Sequence, residues 1–136
     1  VLVAMLANML VVLDPDTTYE GQSATLPIDA VEHLKTLDVE GNMFNSYNWG
    51  GYLIYHVPQH KVFIDGRTDL YTHFLNDYFH IATGADSWRE EFEKWDIQFA
   101  VIETGSGLAN ALEEEEGWRT EYQDDLASIF VREDGA

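Results

Sequence analysis

Two short runs limit what this chain can fold into: 61-KVFID-65 and 97-IQFAVIE-103. Each is compact, β-branched and aromatic, which reads as a strand, and the first, bounded by Gly66, reads as a central one. Between them lie two segments of helical period. Strands separated by helices pair in parallel through right-handed crossovers. The expected fold is therefore α/β: a small three-layer-like domain whose mixed sheet has parallel central strands.

The rest of the chain fits that frame. In 27-PIDAVEHLKTLD-38, Ile28, Val31, Leu34 and Leu37 recur at helical spacing behind Pro27, which suits a first helical turn. Met43-Phe44 reads as a brief strand. From Asn48 to Val57 the residues are apolar on several sides, as in a buried helix. Asn45 or Ser46 can cap its start, and Pro58 stops it. Residues 71–84 read as a helix ended by Gly84. Ser87 and Glu90 read as a capping box for the next one. A helix over 106–116 follows the strand 97–103. Then 118-WRTEYQ-123 and 127-ASIFVR-132 flank Asp124-Asp125, the signature of an antiparallel C-terminal hairpin.

At 136 residues the chain suffices for one cored domain. Residues 27–136 are expected to form it as a single soluble α/β unit, with 14–26 as a linker. Residues 1–13, VLVAMLANMLVVL, are expected to be either the end of a transmembrane helix or a buried N-terminal segment. Asp14, Asp16 and Glu20 follow that run, and the first Lys or Arg is Lys35. Cytoplasmic flanks of membrane helices usually carry Lys and Arg, so the expected side is extracytoplasmic, at the cell surface or in the periplasm.

Charge and cysteine count narrow the chemistry. Twenty-five acidic residues stand against seven basic ones, for a net charge of −18. Such a chain repels phosphate backbones, so no nucleic-acid partner is expected. With no cysteine, disulfides and thiolate metal sites are excluded. No cofactor motif is present: 105-GSG-107 is too generic for a phosphate loop.

In open α/β sheets, ligand sites gather at the carboxyl ends of the strands. Asp65, Arg67 and Asp69 follow one expected strand, Glu103 ends another, and Asn45 follows the short first one. These loops should share one edge. There, Asp65 and Asp69 could hold a metal or polar ligand while Arg67 orients an anion; alternatively Arg67 ties a turn in which Gly66 supplies an unusual backbone angle. Trp49, Tyr52, Tyr55 and Tyr71 could stack on sugar rings or serve as core. His73 and Asp77, four apart on a helix, form a weak candidate metal face.

The run Phe44-Asn45-x-Tyr47-x-Trp49-Gly50-Gly51-Tyr52-Leu53, with Val62-Phe63-Ile64-Asp65-Gly66-Arg67-x-Asp69-Leu70-Tyr71 and Gly117-Trp118, resembles the C-terminal soluble region of bacterial polytopic membrane proteins. These are grouped with lipid-linked-sugar glycosyltransferases of the mannosyltransferase and oligosaccharyltransferase kind. The resemblance covers roughly residues 27–132. It implies a non-catalytic extracytoplasmic domain whose partners are the membrane-embedded remainder of the protein and a glycan or acceptor peptide. The catalytic carboxylates would lie in the membrane part. Asn48-Trp49-Gly50-Gly51-Tyr52 is similar in place to a helix-starting Trp-Trp-Asp-Tyr-Gly motif that helps hold the acceptor in oligosaccharyltransferases, but it lacks the Asp. Two alternatives stand beside this: a small enzyme or ligand-binding domain centred on Asp65, Arg67 and Asp69, and a purely structural or protein-interaction domain.

Overall fold

A computed structural model describes residues 25–67 and 74–133. In chain order the elements are α1 (Ile28–Leu34), β1 (Asn42–Asn45), a 3-10 turn (Tyr47–Trp49), α2 (Gly50–His56), α3 (Leu75–Ala82), α4 (Trp88–Lys94), β2 (Ile97–Glu103), α5 (Gly107–Glu113), β3 (Trp118–Gln123) and β4 (Ala127–Arg132). The strands form one mixed sheet in the order β1-β2-β4-β3. β1 and β2 are parallel, with Asn45 opposite Val101. The other pairs are antiparallel, with Ala100 opposite Phe130 and Trp118 opposite Arg132.

Strand alternation sorts the core into two layers, one on each sheet face. Ala100, Ile102 and Phe130 face α3, α4 and α5, where they meet Tyr78, Ile81, Trp88, Phe92, Leu108 and Leu112. Their neighbours Phe99, Val101, Ile129 and Val131 face α1 and α2, against Val31, Leu34, Trp49 and Leu53. The domain is thus α/β in three layers. The stripe of 27–38 forms a helix over Ile28–Leu34, which ends before Leu37, and the hairpin of 118–132 forms as expected. The hairpin turn is closed by Asp124, whose Oδ1 accepts from Leu126 N at 2.8 Å and Ala127 N at 2.7 Å.

Three local expectations are corrected. The run 61–65 is not a strand. It lies beside β1 but is held by a side chain: Asn45 Oδ1 accepts from Phe63 N at 2.7 Å and Ile64 N at 3.3 Å, while its Nδ2 donates to Ile64 O at 2.9 Å. One amide thus replaces a backbone ladder, and β1 remains the hydrogen-bonded edge of the sheet. Ser87 does not cap α4. Its backbone is already helical (φ −79°, ψ −4°) and its side chain makes no cap bond. Capping by a hydroxyl is found instead at α5, where Ser106 Oγ accepts from Ala109 N at 3.2 Å. Finally, α2 is apolar all round yet only half buried. Leu53 is fully enclosed, but Ile54 and Tyr55 are 44% and 81% exposed.

Candidate functional site at the carboxyl end of the parallel strands

β1 and β2 end side by side, so Asn45 and Glu103 emerge at the same edge, as their positions in the sequence imply. The chain brings the 63–67 segment to the same place. Asn45 is fully buried and its amide is wholly engaged, since its Nδ2 also donates to Ser46 O at 2.8 Å. The next residue, Ser46, is 2% exposed, and its hydroxyl donates to Glu103 Oε1. Tyr78 closes the cluster from α3: its hydroxyl accepts from Tyr47 N at 2.9 Å. Burial raises the Tyr78 pKa above the ordinary phenol value, and the nearby Glu103 charge adds to this, against bonds from Tyr47 N and Ser46 that pull it down.

Asp65 follows, 3% exposed. Its carboxylate takes a bidentate grip from Arg67, with Nε at 2.9 Å from Oδ1 and Nη2 at 2.5 Å from Oδ2. The Arg67 backbone N–H adds a third contact at 3.0 Å. Such fork-to-carboxylate pairing satisfies a buried charge with fixed geometry. The Arg67 side chain itself is 64% exposed, so this turn buries the acid and presents the guanidinium. Gly66 does not adopt a left-handed conformation, which corrects the expectation of an unusual backbone angle there.

Glycine 50 explains why the two motifs meet. A Cβ at this position would lie 2.2 Å from Ile64 O and 2.6 Å from Asp65 Cα. The start of α2 therefore packs backbone to backbone against the Asp65 segment. Trp49, 2% exposed, is core, and its Nε1 donates to Thr25 O at 3.0 Å. Trp49 and Glu103 also line a cleft of about 410 Å³ with Thr25, Leu26, Asn48 and Leu126.

The remaining candidates separate from this group. Asp69, Tyr71 and His73 lie outside the described residues. Asp77 forms an ion pair with Lys94 at 2.8 Å. Among the described residues no group of three His, Cys, Asp or Glu side chains is placed to hold a metal ion, and no helix is long and apolar enough to cross a membrane.

Ser46, Asn48 and Tyr78 were not singled out as site residues from sequence. Ser46 reads as a cap and Tyr78 as one more apolar-face residue of a helix. The parallel register of β1 on β2 places Ser46 beside Glu103, and α3 brings Tyr78 to the same cluster through its bond from Tyr47 N. Comparison with protein-family models, with curated proteins and with solved structures finds no match to this chain.

Proposed function

We propose that this chain is a non-catalytic, extracytoplasmic domain of a membrane-embedded glycosyltransferase-like protein, and that it helps position acceptor or glycan beside a membrane-embedded active site. One observation carries the reading: the polar groups gathered at the sheet edge are spent on the chain itself. Asn45 holds the 63–64 backbone, Ser46 holds Glu103, and Asp65 holds Arg67. A general acid or base needs a carboxylate free to reach substrate, and Asp65 is 3% exposed and clamped by Arg67. The motifs Asn48-Trp49-Gly50-Gly51-Tyr52 and Phe63-Ile64-Asp65-Gly66-Arg67 pack on each other through Gly50. Together they build a rigid mount that presents Arg67 and the Trp49–Glu103 cleft.

The test has two arms. In the intact protein, a compartment-sensitive fusion at the C-terminus of this domain should report an extracytoplasmic location; a cytoplasmic signal overturns the placement. In the same background, Arg67→Lys, which keeps a cation beside Asp65 but loses the fork, and Asn48→Ala should weaken sugar transfer by raising KM for the acceptor, with circular dichroism of the corresponding chains unchanged. Full transfer by both variants refutes the positioning role. Turnover of a sugar substrate by the 136-residue chain alone, abolished by Asp65→Asn in a folded protein, would replace this reading with the small-enzyme one.

A further inference from the structure

The Gly117-Trp118 pair takes no part in the sheet-edge site. Gly117 turns the chain with φ +85°, a left-handed conformation that glycine adopts freely, and β3 begins at once with Trp118. Trp118 stands opposite Arg132 of β4, at the end of the sheet away from Asn45 and Glu103. There it lines a second cleft, of about 230 Å³, between α4 and the 115–118 segment.

The floor of this cleft is aromatic. Phe92 lies between Trp88 and Trp118, with ring centroids 5.2 Å and 5.4 Å away. Trp88 and Phe92 are each 2% exposed and act as support. Trp118 is only half-buried, so it is the ring that a ligand can reach.

The rim is polar. Arg89 and Glu93 stand one turn apart on α4 and reach across the cleft in opposite senses. Arg89 Nε donates to Glu115 Oε2 at 2.9 Å, and Glu93 Oε1 accepts from Arg132 Nη2. Arg89 Nη1 and Glu93 Oε2 are left over among the described residues. Arg132 Nε is buried and finds no acceptor among them. Buried donors are as a rule satisfied, and an oxygen brought in by a bound molecule would satisfy this one.

Charge selects the class of molecule. Glu93, Glu115 and Glu116 line the cleft against Arg89 and Arg132, in a chain of net charge −18, so an anion is repelled. A cation meets two guanidiniums that already occupy the indole faces. Arg89 lies 4.7 Å from the Trp88 centroid and Arg132 5.8 Å from that of Trp118. A neutral molecule with one apolar face and hydroxyls around its edge conflicts with neither. Hydroxyls both donate and accept, as this mixed rim requires. A pyranose ring has that construction, its C–H groups forming the apolar face.

We propose that the Trp118–Arg132 cleft binds one neutral pyranose ring, its C–H face against Trp118 and its hydroxyls bonded to Arg132 Nε, Arg89 Nη1 and Glu93. The site lies at the opposite end of the sheet from the Trp49–Glu103 cleft, and it does not depend on membrane attachment. The isotopically labelled 136-residue chain would be titrated with methyl β-glucopyranoside, methyl β-galactopyranoside and methyl α-mannopyranoside, with the indole and arginine Nε–H signals followed by NMR.

At least one glycoside should shift the Trp118 indole and Arg132 Nε–H signals saturably and slow solvent exchange of the Arg132 Nε–H. Trp118→Leu should weaken that binding by about tenfold or more. Because Trp118 also packs on Phe92, Arg89→Gln at the exposed rim gives a second check. It should weaken binding severalfold with the rest of the spectrum unchanged. Trp118 and Arg132 signals that stay fixed with all three glycosides overturn the site, as do shifts that never saturate. Shifts produced by glucuronate or inorganic phosphate but not by the glycosides overturn the neutral ligand. Shifts confined to Asn48, Glu103 and Leu126 overturn it too and assign the sugar to the other cleft.

Discussion

Glycines 50 and 51 are adjacent in one helix, yet their surroundings predict opposite responses to the same methyl group. At 50 the new Cβ would fall 2.2 Å from a backbone oxygen, which no side-chain rotation can relieve. Gly50→Ala should destabilise the domain by about 1–3 kcal/mol or more, the usual cost of forcing atoms into a packed interior. Nothing lies within 4 Å of the corresponding position at 51. Gly51→Ala should be neutral or stabilising by up to about 1 kcal/mol, because alanine loses less chain entropy in a helix. Urea denaturation of the two variants checks both signs. Asn45 offers a second residue-scale test. Asn45→Ala would orphan the buried Ile64 N–H and C=O and the Phe63 N–H, each costing about 1–3 kcal/mol. The expected loss is at least about 3 kcal/mol in the same measurement, with increased amide exchange at Phe63 and Ile64 as its local sign.

At the scale of elements, the parts legible in the sequence are those whose signal is periodic. The stripe Val31–Leu34, the strand 97–103 and the two runs around Asp124 are each specified by their own spacing, and each forms. The meeting of Asn45 and Glu103 was legible too, because parallel strand ends share an edge; Asp65 reaches that edge without a strand, through the Asn45 amide that holds Phe63 and Ile64. What was not legible depends on a single side chain acting across the fold. KVFID has a strand's composition because Ile64 is buried, but burial without a ladder requires the Asn45 amide, and an amide leaves no periodic trace. Ser87 likewise has the right spacing to Glu90 and the wrong backbone angles.

Two elements should also respond to pH. Burial lowers the His60 pKa, with its ring edge-on to Phe99 at 5.0 Å. A histidine held below its unfolded value binds its proton more readily when unfolded, so its contribution costs stability as pH falls through about 6.5 and below. His60→Gln should flatten the urea midpoint between pH 7 and 5. Asp124 behaves as a carboxylate of the opposite shift. Burial pushes its pKa up, but bonds from the Tyr122 hydroxyl, Ala127 N and Leu126 N outweigh this and hold it below the ordinary value. The stability it supplies is present above the unfolded carboxylate range and is lost as pH falls through its folded pKa. Asp124→Ala should therefore weaken the hairpin at neutral pH and show its deficit shrinking in acid. A deficit that stayed constant with pH would mean that the turn is held by backbone geometry rather than by the ionised side chain.

For the molecule as a whole, the dominant quantity is the net charge of −18. Six of the seven basic residues are already in ion pairs: Lys35 with Glu32, Arg67 with Asp65, Arg89 with Glu115, Lys94 with Asp77 and Glu91, Arg119 with Glu121, and Arg132 with Glu93. Little positive charge therefore remains to offset the other carboxylates, and compaction brings them together against their mutual repulsion. Salt acts on both terms with opposite sign. It weakens exposed pairs, each worth only about 0–1 kcal/mol. It also screens the long-range repulsion, since the Debye length falls from about 30 Å at 0.01 M to about 8 Å at 0.15 M. Repulsion sums over many carboxylates at separations between those two lengths, whereas the pairs act at contact, where screening is weakest. The repulsive term should win, so Tm should rise with sodium chloride over that range. A double variant such as Glu114→Gln/Glu116→Gln, which removes charge from the acidic end of α5 without touching the Arg89 pair, should raise Tm at low salt and reduce its salt slope. A Tm that fell with salt would instead show that the paired guanidinium and ammonium groups outweigh the net charge in holding the domain together.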